Sequence, residues 1–159
     1  MRIEARLAEL GWNLPAVPKM PVETTFVWVR RSGCRLMVSG HGAQHLDGSP
    51  AGPFGRVPDE VSLGEAQESA RLAALSVMAS VQAVVGDLDR VTAWLAVAGF
   101  VNATPGYPQT TAVLNAFSEV VVDVFGPHIG QHSRTAIGVA ALPLNLPVVA
   151  AAEIEVEPA

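Results

Sequence analysis

The residues best suited to chemistry lie mostly late in the chain. Arg134 carries a planar, permanently charged fork that matches a carboxylate in bidentate geometry. At the start of a predicted strand it serves equally well as a salt-bridge partner or a solvated charge. His132 stands two residues earlier; it is able to move a proton near neutral pH, and an exposed loop position suits it as well. Asn115 falls in a predicted helix, where its amide orients a ligand or an intersubunit backbone group, or serves only the fold. Ser39-Gly40 ends a predicted strand. There the glycine admits close approach of a ligand and offers an amide to an anionic oxygen, or simply turns the chain. Glu153 and Glu155 lie on the last predicted strand. His41 and His45 are four residues apart, but in a glycine-rich loop that spacing does not put both on one metal-binding face, and no metal is expected. Cys34 is the single cysteine, so no intramolecular disulfide and no CxxC site can form.

These residues must be held by a small set of elements. Ile3, Leu7 and Leu10 recur at helical spacing and predict a short N-terminal helix, which Gly11 ends. Pro15, Pro18 and Pro21 then exclude a regular helix and predict an extended tether. The β-branched and aromatic residues over 24–29 predict a strand, Ser32-Gly33 a turn, and residues 35–39 its hairpin partner. An irregular loop follows to about Pro58. Ser62 and Glu65 have capping-box spacing ahead of an alanine-rich helix whose inner stripe is Ala66, Ala70, Ala73, Ala74, Val77, Val81 and Val84, stopped at Gly86. Residues 91–101 predict a strand interrupted only by Gly99. Pro108 is expected to open a second helix reaching about Phe125, with Val113, Phe117, Val120, Val121 and Val124 as its buried stripe. Strands over 135–141 and 148–156 complete the order β-β-α-β-α-β-β. Its economical packing is an α+β domain with a mixed sheet and two helices on one face, the other face being covered by association with further subunits.

The 159 residues, half of them apolar, suffice for one domain with a substantial core. A net charge of -5 and a pI near 5.3 provide no global basic field, and nucleic acid is not an expected partner. The N-terminus lacks the apolar core of a signal peptide, and no run approaches the roughly 18 to 20 unbroken apolar residues of a membrane span. A cytoplasmic protein with no membrane partner is expected. The mean hydropathy of +0.33 then points to apolar surface buried between subunits.

Four stretches, in this order, resemble the Rid family, also called YjgF or L-PSP-like. They are Leu36-Met37-Val38-Ser39-Gly40, Gly86-Asp87-Leu88-Asp89-Arg90-Val91, Val113-Leu114-Asn115-Ala116-Phe117, and Arg134 with Val139, Leu142-Pro143 and Ala152-Glu153-Ile154-Glu155. The similarity covers roughly residues 24–157. The N-terminal extension and a longer turn over 54–63 resemble a branch distinct from the best-known deaminases. The resemblance implies a chorismate-mutase-like fold assembled as a barrel-like homotrimer with three clefts between subunits. It also implies that Arg134 grips a substrate carboxylate, that backbone near Ser39 and Gly40 helps to fix the substrate, and that an acidic residue of the last strand positions water. Glu153 is taken for that role, because Glu155 and Glu157 fit a solvent-facing alternation. The chain departs from the deaminase pattern twice: Thr25 or Phe26 stands where an aromatic hydroxyl is expected, and Ala136 where a cysteine often follows the arginine.

Three functions follow as expectations. The first is hydrolysis of a 2-enamine or 2-imine carboxylate to a 2-keto acid and ammonia, with no cofactor, because an imine is already electrophilic and needs positioning and proton management. The second is a trimeric, non-catalytic binder of small carboxylate metabolites. The third, endoribonuclease activity or translation inhibition, is disfavoured by the acidic composition and the lack of interleaved basic and aromatic residues.

Overall fold

The computed structural model describes residues 2–159. Its elements are α1 (Arg2–Glu9), β1 (Val29–Ser32), β2 (Arg35–His41), α2 (Leu63–Val85), β3 (Val91–Asn102), α3 (Thr110–Gly130), β4 (Ser133–Val139) and β5 (Val148–Val156), with short 3-10 turns at Leu88–Arg90 and Pro143–Asn145. The five strands form one mixed sheet in the order β1-β2-β5-β3-β4. Only β3 and β4 run parallel, joined by α3 as their crossover, and the other pairs are antiparallel.

Strand alternation divides the sheet into two unlike faces. Leu36 and Val38 of β2, Trp94, Val97 and Val101 of β3, and Ala150, Ala152 and Ile154 of β5 are buried beneath α2 and α3. The opposite face carries Met37 and Ile137, 50% and 45% exposed, with the small residues Ala98 and Ala151 between them. Trp94 centres the core, its ring 5.7 Å from that of Phe125 and 6.3 Å from that of Phe117. All five predicted stripe residues of α3 are buried, and an apolar helix long enough by composition to cross a membrane is thereby spent on the core.

The capping box forms as expected: Glu65 N–H donates to Ser62 Oγ at 3.1 Å, and Ser62 N–H donates to Glu65 Oε1 at 3.3 Å. Gly86, at φ 82°, ends α2 in a conformation that disfavours side chains. Val84 departs from the expected stripe and is 42% exposed, because Val85, four residues after Val81, takes the inward position in the last turn.

Several boundaries also differ from the sequence reading. The first strand begins at Val29 rather than at residue 24, since Phe26 and Val27 are more than half exposed and find no core to pack on. The strand extends instead to Ser32, which pairs with Arg35 around a two-residue Gly33-Cys34 loop with Gly33 at φ 59°. α3 starts at Thr110, two residues after Pro108, and Gly126 at φ 77° kinks it before one further turn. β4 occupies 133–139 because its parallel partner β3, paired from Ala96 to Asn102, dictates where it can bond.

Gly99 shows how closely α3 lies on the sheet. A Cβ built there would sit 2.4 Å from Leu114 Cγ, on a side chain that is fully buried. Gly99→Ala is therefore expected to destabilise the protein by about 2 kcal/mol through overpacking. Urea unfolding tests this, and an unchanged midpoint would show that α3 can withdraw without cost.

Candidate functional site

The polar groups of the site converge where α3 returns into β4. Arg134 pairs with Val97 in the β3–β4 ladder, so its side chain leaves the sheet on the helix side and lies along α3. One nitrogen, Nη1, donates to Ser118 Oγ at 2.8 Å; the other, Nη2, donates to Asn115 Oδ1 at 2.8 Å and to the Thr111 carbonyl at 3.3 Å. All three acceptors are uncharged. Among the described residues no carboxylate pairs with Arg134. Partial burial moves its pKa below the ordinary arginine value, yet a guanidinium remains cationic at neutral pH.

His132 completes the cluster. Its Nδ1 lies 2.7 Å from the Gly130 carbonyl and its Nε2 lies 2.8 Å from Ser118 Oγ. Burial pushes its pKa down, the Gly130 hydrogen bond opposes this, and the Arg134 charge adds to the lowering. The imidazole is therefore neutral at pH 7, with Nδ1 as the donor and Nε2 as the acceptor.

Ser118 was not singled out in the sequence, although a signal existed. Thr111, Asn115 and Ser118 stand at four- and three-residue spacing, one polar stripe on a helix otherwise rich in apolar residues.

The remaining sequence candidates lie elsewhere on the chain. Glu153 pairs with Met37 and Ala96 on the open face, and Arg35 Nη2 binds its Oε1 at 2.6 Å. Glu155 lies on that same face, as a two-residue period requires, so alternation does not separate the two glutamates. Its Oε1 accepts from Thr92 Oγ1 at 3.0 Å. Glu153 and Arg134 border one open depression of about 380 Å³, but their side chains depart from opposite faces of the sheet.

Ser39 and Gly40 form a bulge between the Val38–Ala152 and His41–Ala150 pairs. The Ser39 hydroxyl donates to the Val27 carbonyl at 2.8 Å. A Cβ on Gly40 would come within 2.8 Å of Val149 Cγ1, so the close approach that glycine permits here is to an apolar side chain. Gly40 borders a separate, largely apolar cavity of about 170 Å³ with Trp28, Pro143 and Leu146. Thr25 is exposed on the irregular segment before β1.

His41 ends β2 rather than lying in a loop, and it is buried. Its ring bonds the Ser39 carbonyl through Nδ1 and Ser80 Oγ at 2.8 Å through Nε2, whereas His45 is exposed. A second cluster, Glu4, Asp87 and Asp89, holds α1 in place: Asp89 accepts the Arg2 and Ile3 amides at 2.9 Å each, and Glu4 accepts the Leu88 amide at 3.1 Å.

No family model matches the chain. It is 36% identical over 155 residues to Protein TCP17 of Trypanosoma cruzi, covering 97% of this chain and 94% of that protein. The solved structure of Atu1372 from Agrobacterium tumefaciens, a protein of unknown function, is 34% identical with a TM-score of 0.88, covering 98% of this chain and 93% of that one. A Shewanella oneidensis protein that carries an endoribonuclease name is 25% identical, also with a TM-score of 0.88, over 97% of this chain and 99% of its own. With the fold shared and the sequence similarity extending over nearly its whole length, the chain belongs to the Rid (YjgF/L-PSP) family.

Proposed function

We propose that this protein binds small carboxylate-bearing metabolites at Arg134, and that the reaction it carries is hydrolysis of 2-enamine or 2-imine carboxylates. The observation that carries the reading is a guanidinium held by three acceptors, Ser118, Asn115 and the Thr111 carbonyl, that are all neutral. A charge held this way is the natural partner of a carboxylate, which supplies the missing counter-ion and can accept from the nitrogen protons that Ser118, Asn115 and Thr111 leave free. In the reaction, water adds to the imine carbon, ammonia leaves with the transferred protons, and the 2-keto acid remains. The cleft is completed between subunits of a homotrimer of chorismate-mutase-like fold. The uncovered Met37 and Ile137 and the small residues between them support that association. The endoribonuclease name of a neighbour is not extended to this chain, whose 15 acidic residues outnumber its 10 lysines and arginines.

Binding without turnover is the second reading, and one observation favours it: Glu153, the acid expected to position water, is engaged by Arg35 on the face away from the Arg134 side chain. Release of ammonia and 2-keto acid from freshly generated 2-aminoacrylate and bulkier imino acids, measured beside calorimetric binding of pyruvate, separates the two. Accelerated release is expected. Pyruvate binding without acceleration would establish the second reading, and neither signal would sink both.

A further inference from the structure

Ser118 sits between two side chains that belong to the segment beyond its own helix. Arg134 Nη1 reaches its oxygen at 2.8 Å, and so does His132 Nε2, while His132 Nδ1 is 2.7 Å from the Gly130 carbonyl. For a neutral imidazole the proton inventory leaves one consistent arrangement. A carbonyl only accepts, so Nδ1 carries the imidazole proton. A guanidinium only donates, so Ser118 accepts from Arg134. The Ser118 hydroxyl proton then goes to the free lone pair of Nε2.

We infer that Ser118 and His132 are positioning residues that fix the Arg134 fork for its carboxylate, an inference that rests on the carboxylate reading above. Two contacts on different nitrogens, Ser118 on Nη1 and Asn115 on Nη2, define the plane of the guanidinium. With Nε2 as its acceptor, the Ser118 proton is directed away from Arg134. Without that acceptor a helical serine can bond back to its own helix, and the fork loses the contact that sets its roll. Among the described residues, no carboxylate competes for the imidazole. β3 presents the Trp94 ring, centred 6.3 Å from that of His132, and Glu119 of α3 is exposed and bonded to neither His132 nor Arg134. Burial and the Arg134 charge both keep His132 neutral and able to accept.

The test compares pyruvate affinity by calorimetry at pH 7.5 for the wild type, Ser118→Ala, Ser118→Thr, His132→Leu and His132→Gln, with histidine side-chain 15N spectra of the ligand-free proteins. Ser118→Ala and His132→Leu are expected to weaken binding about 10-fold, the worth of one charge-assisted hydrogen bond. Ser118→Thr, which keeps the hydroxyl, and His132→Gln, whose amide oxygen accepts near the Nε2 position, are expected to restore most of the affinity. A purely structural role would not show that pattern of rescue. The spectra should show His132 as the Nδ1–H tautomer, with its Nε2 resonance moved in Ser118→Ala. Wild-type affinity in Ser118→Ala, or the Nε2–H tautomer in the wild type, overturns the inference. Absence of pyruvate binding to the wild type overturns the carboxylate reading itself, and the tautomer then still reports whether the hydrogen-bond chain exists.

Discussion

Arg134→Ala is expected to weaken carboxylate binding about 100-fold, and to reduce any imine hydrolysis in proportion, while leaving the fold intact. The estimate follows from losing a charge-assisted contact worth about 3 kcal/mol. Folding should survive, because the groups the side chain contacts lie at the edge of α3, where water can replace it; Asn115 is exposed and Ser118 half-buried. Arg134→Lys should recover little, since an ammonium cannot span the Ser118 and Asn115 oxygens and a carboxylate in one plane. Pyruvate calorimetry, with sedimentation to verify equal assembly, decides the matter. Undiminished affinity in a folded Arg134→Ala variant would move the binding site elsewhere on the protein.

The second large effect is on stability against acid. His41 is almost wholly enclosed between β2 and α2, and burial lowers its pKa from 6.5 to about 4, opposed only in part by the Ser39 hydrogen bond. Between those two values the unfolded chain binds a proton at this position that the folded protein does not. Stability is therefore fully present above about pH 6.5, falls as the pH is lowered through the window, and loses nothing further from this group below about pH 4. The loss amounts to about 3 kcal/mol across the window. Charging the ring would also turn Nε2 from an acceptor of the Ser80 hydroxyl into a competing donor. Urea titrations of the wild type and His41→Asn at pH 7 and pH 4 should show the wild type losing about 3 kcal/mol more than the variant over that interval. Parallel losses would mean that other groups carry the acid sensitivity.

Much of the scaffold is legible in the sequence because it depends on local rules. The capping box at Ser62 and Glu65, the Gly86 stop and the apolar stripe of α3 all depend on spacing within a single helix, and each appears as expected. The first strand was misplaced because β-propensity over residues 24–29 is satisfied only where a core lies beneath it, and Phe26 and Val27 have none. Gly99 read as an interruption in a strand; the reason for it, the Leu114 side chain pressing from α3, lies fifteen positions along the chain.

The same division runs through the site. From the sequence alone came the α+β order of elements, the family resemblance, and Arg134 as the group with the right charge and shape for a carboxylate. Asn115 and His132 were also named, and the structure brings both to Arg134, His132 through Ser118. Tertiary structure alone decided that Ser118 links them, that Ser39 and Gly40 stand at a bulge against Val149, and that Glu153 is tied to Arg35. It also set Glu153 and the Arg134 side chain on opposite faces of the sheet. The physical reason is strand register. A shift of one residue in pairing turns a side chain to the other face, and register is set by partners many residues away: β3 for Arg134, and β2 and β3 for Glu153.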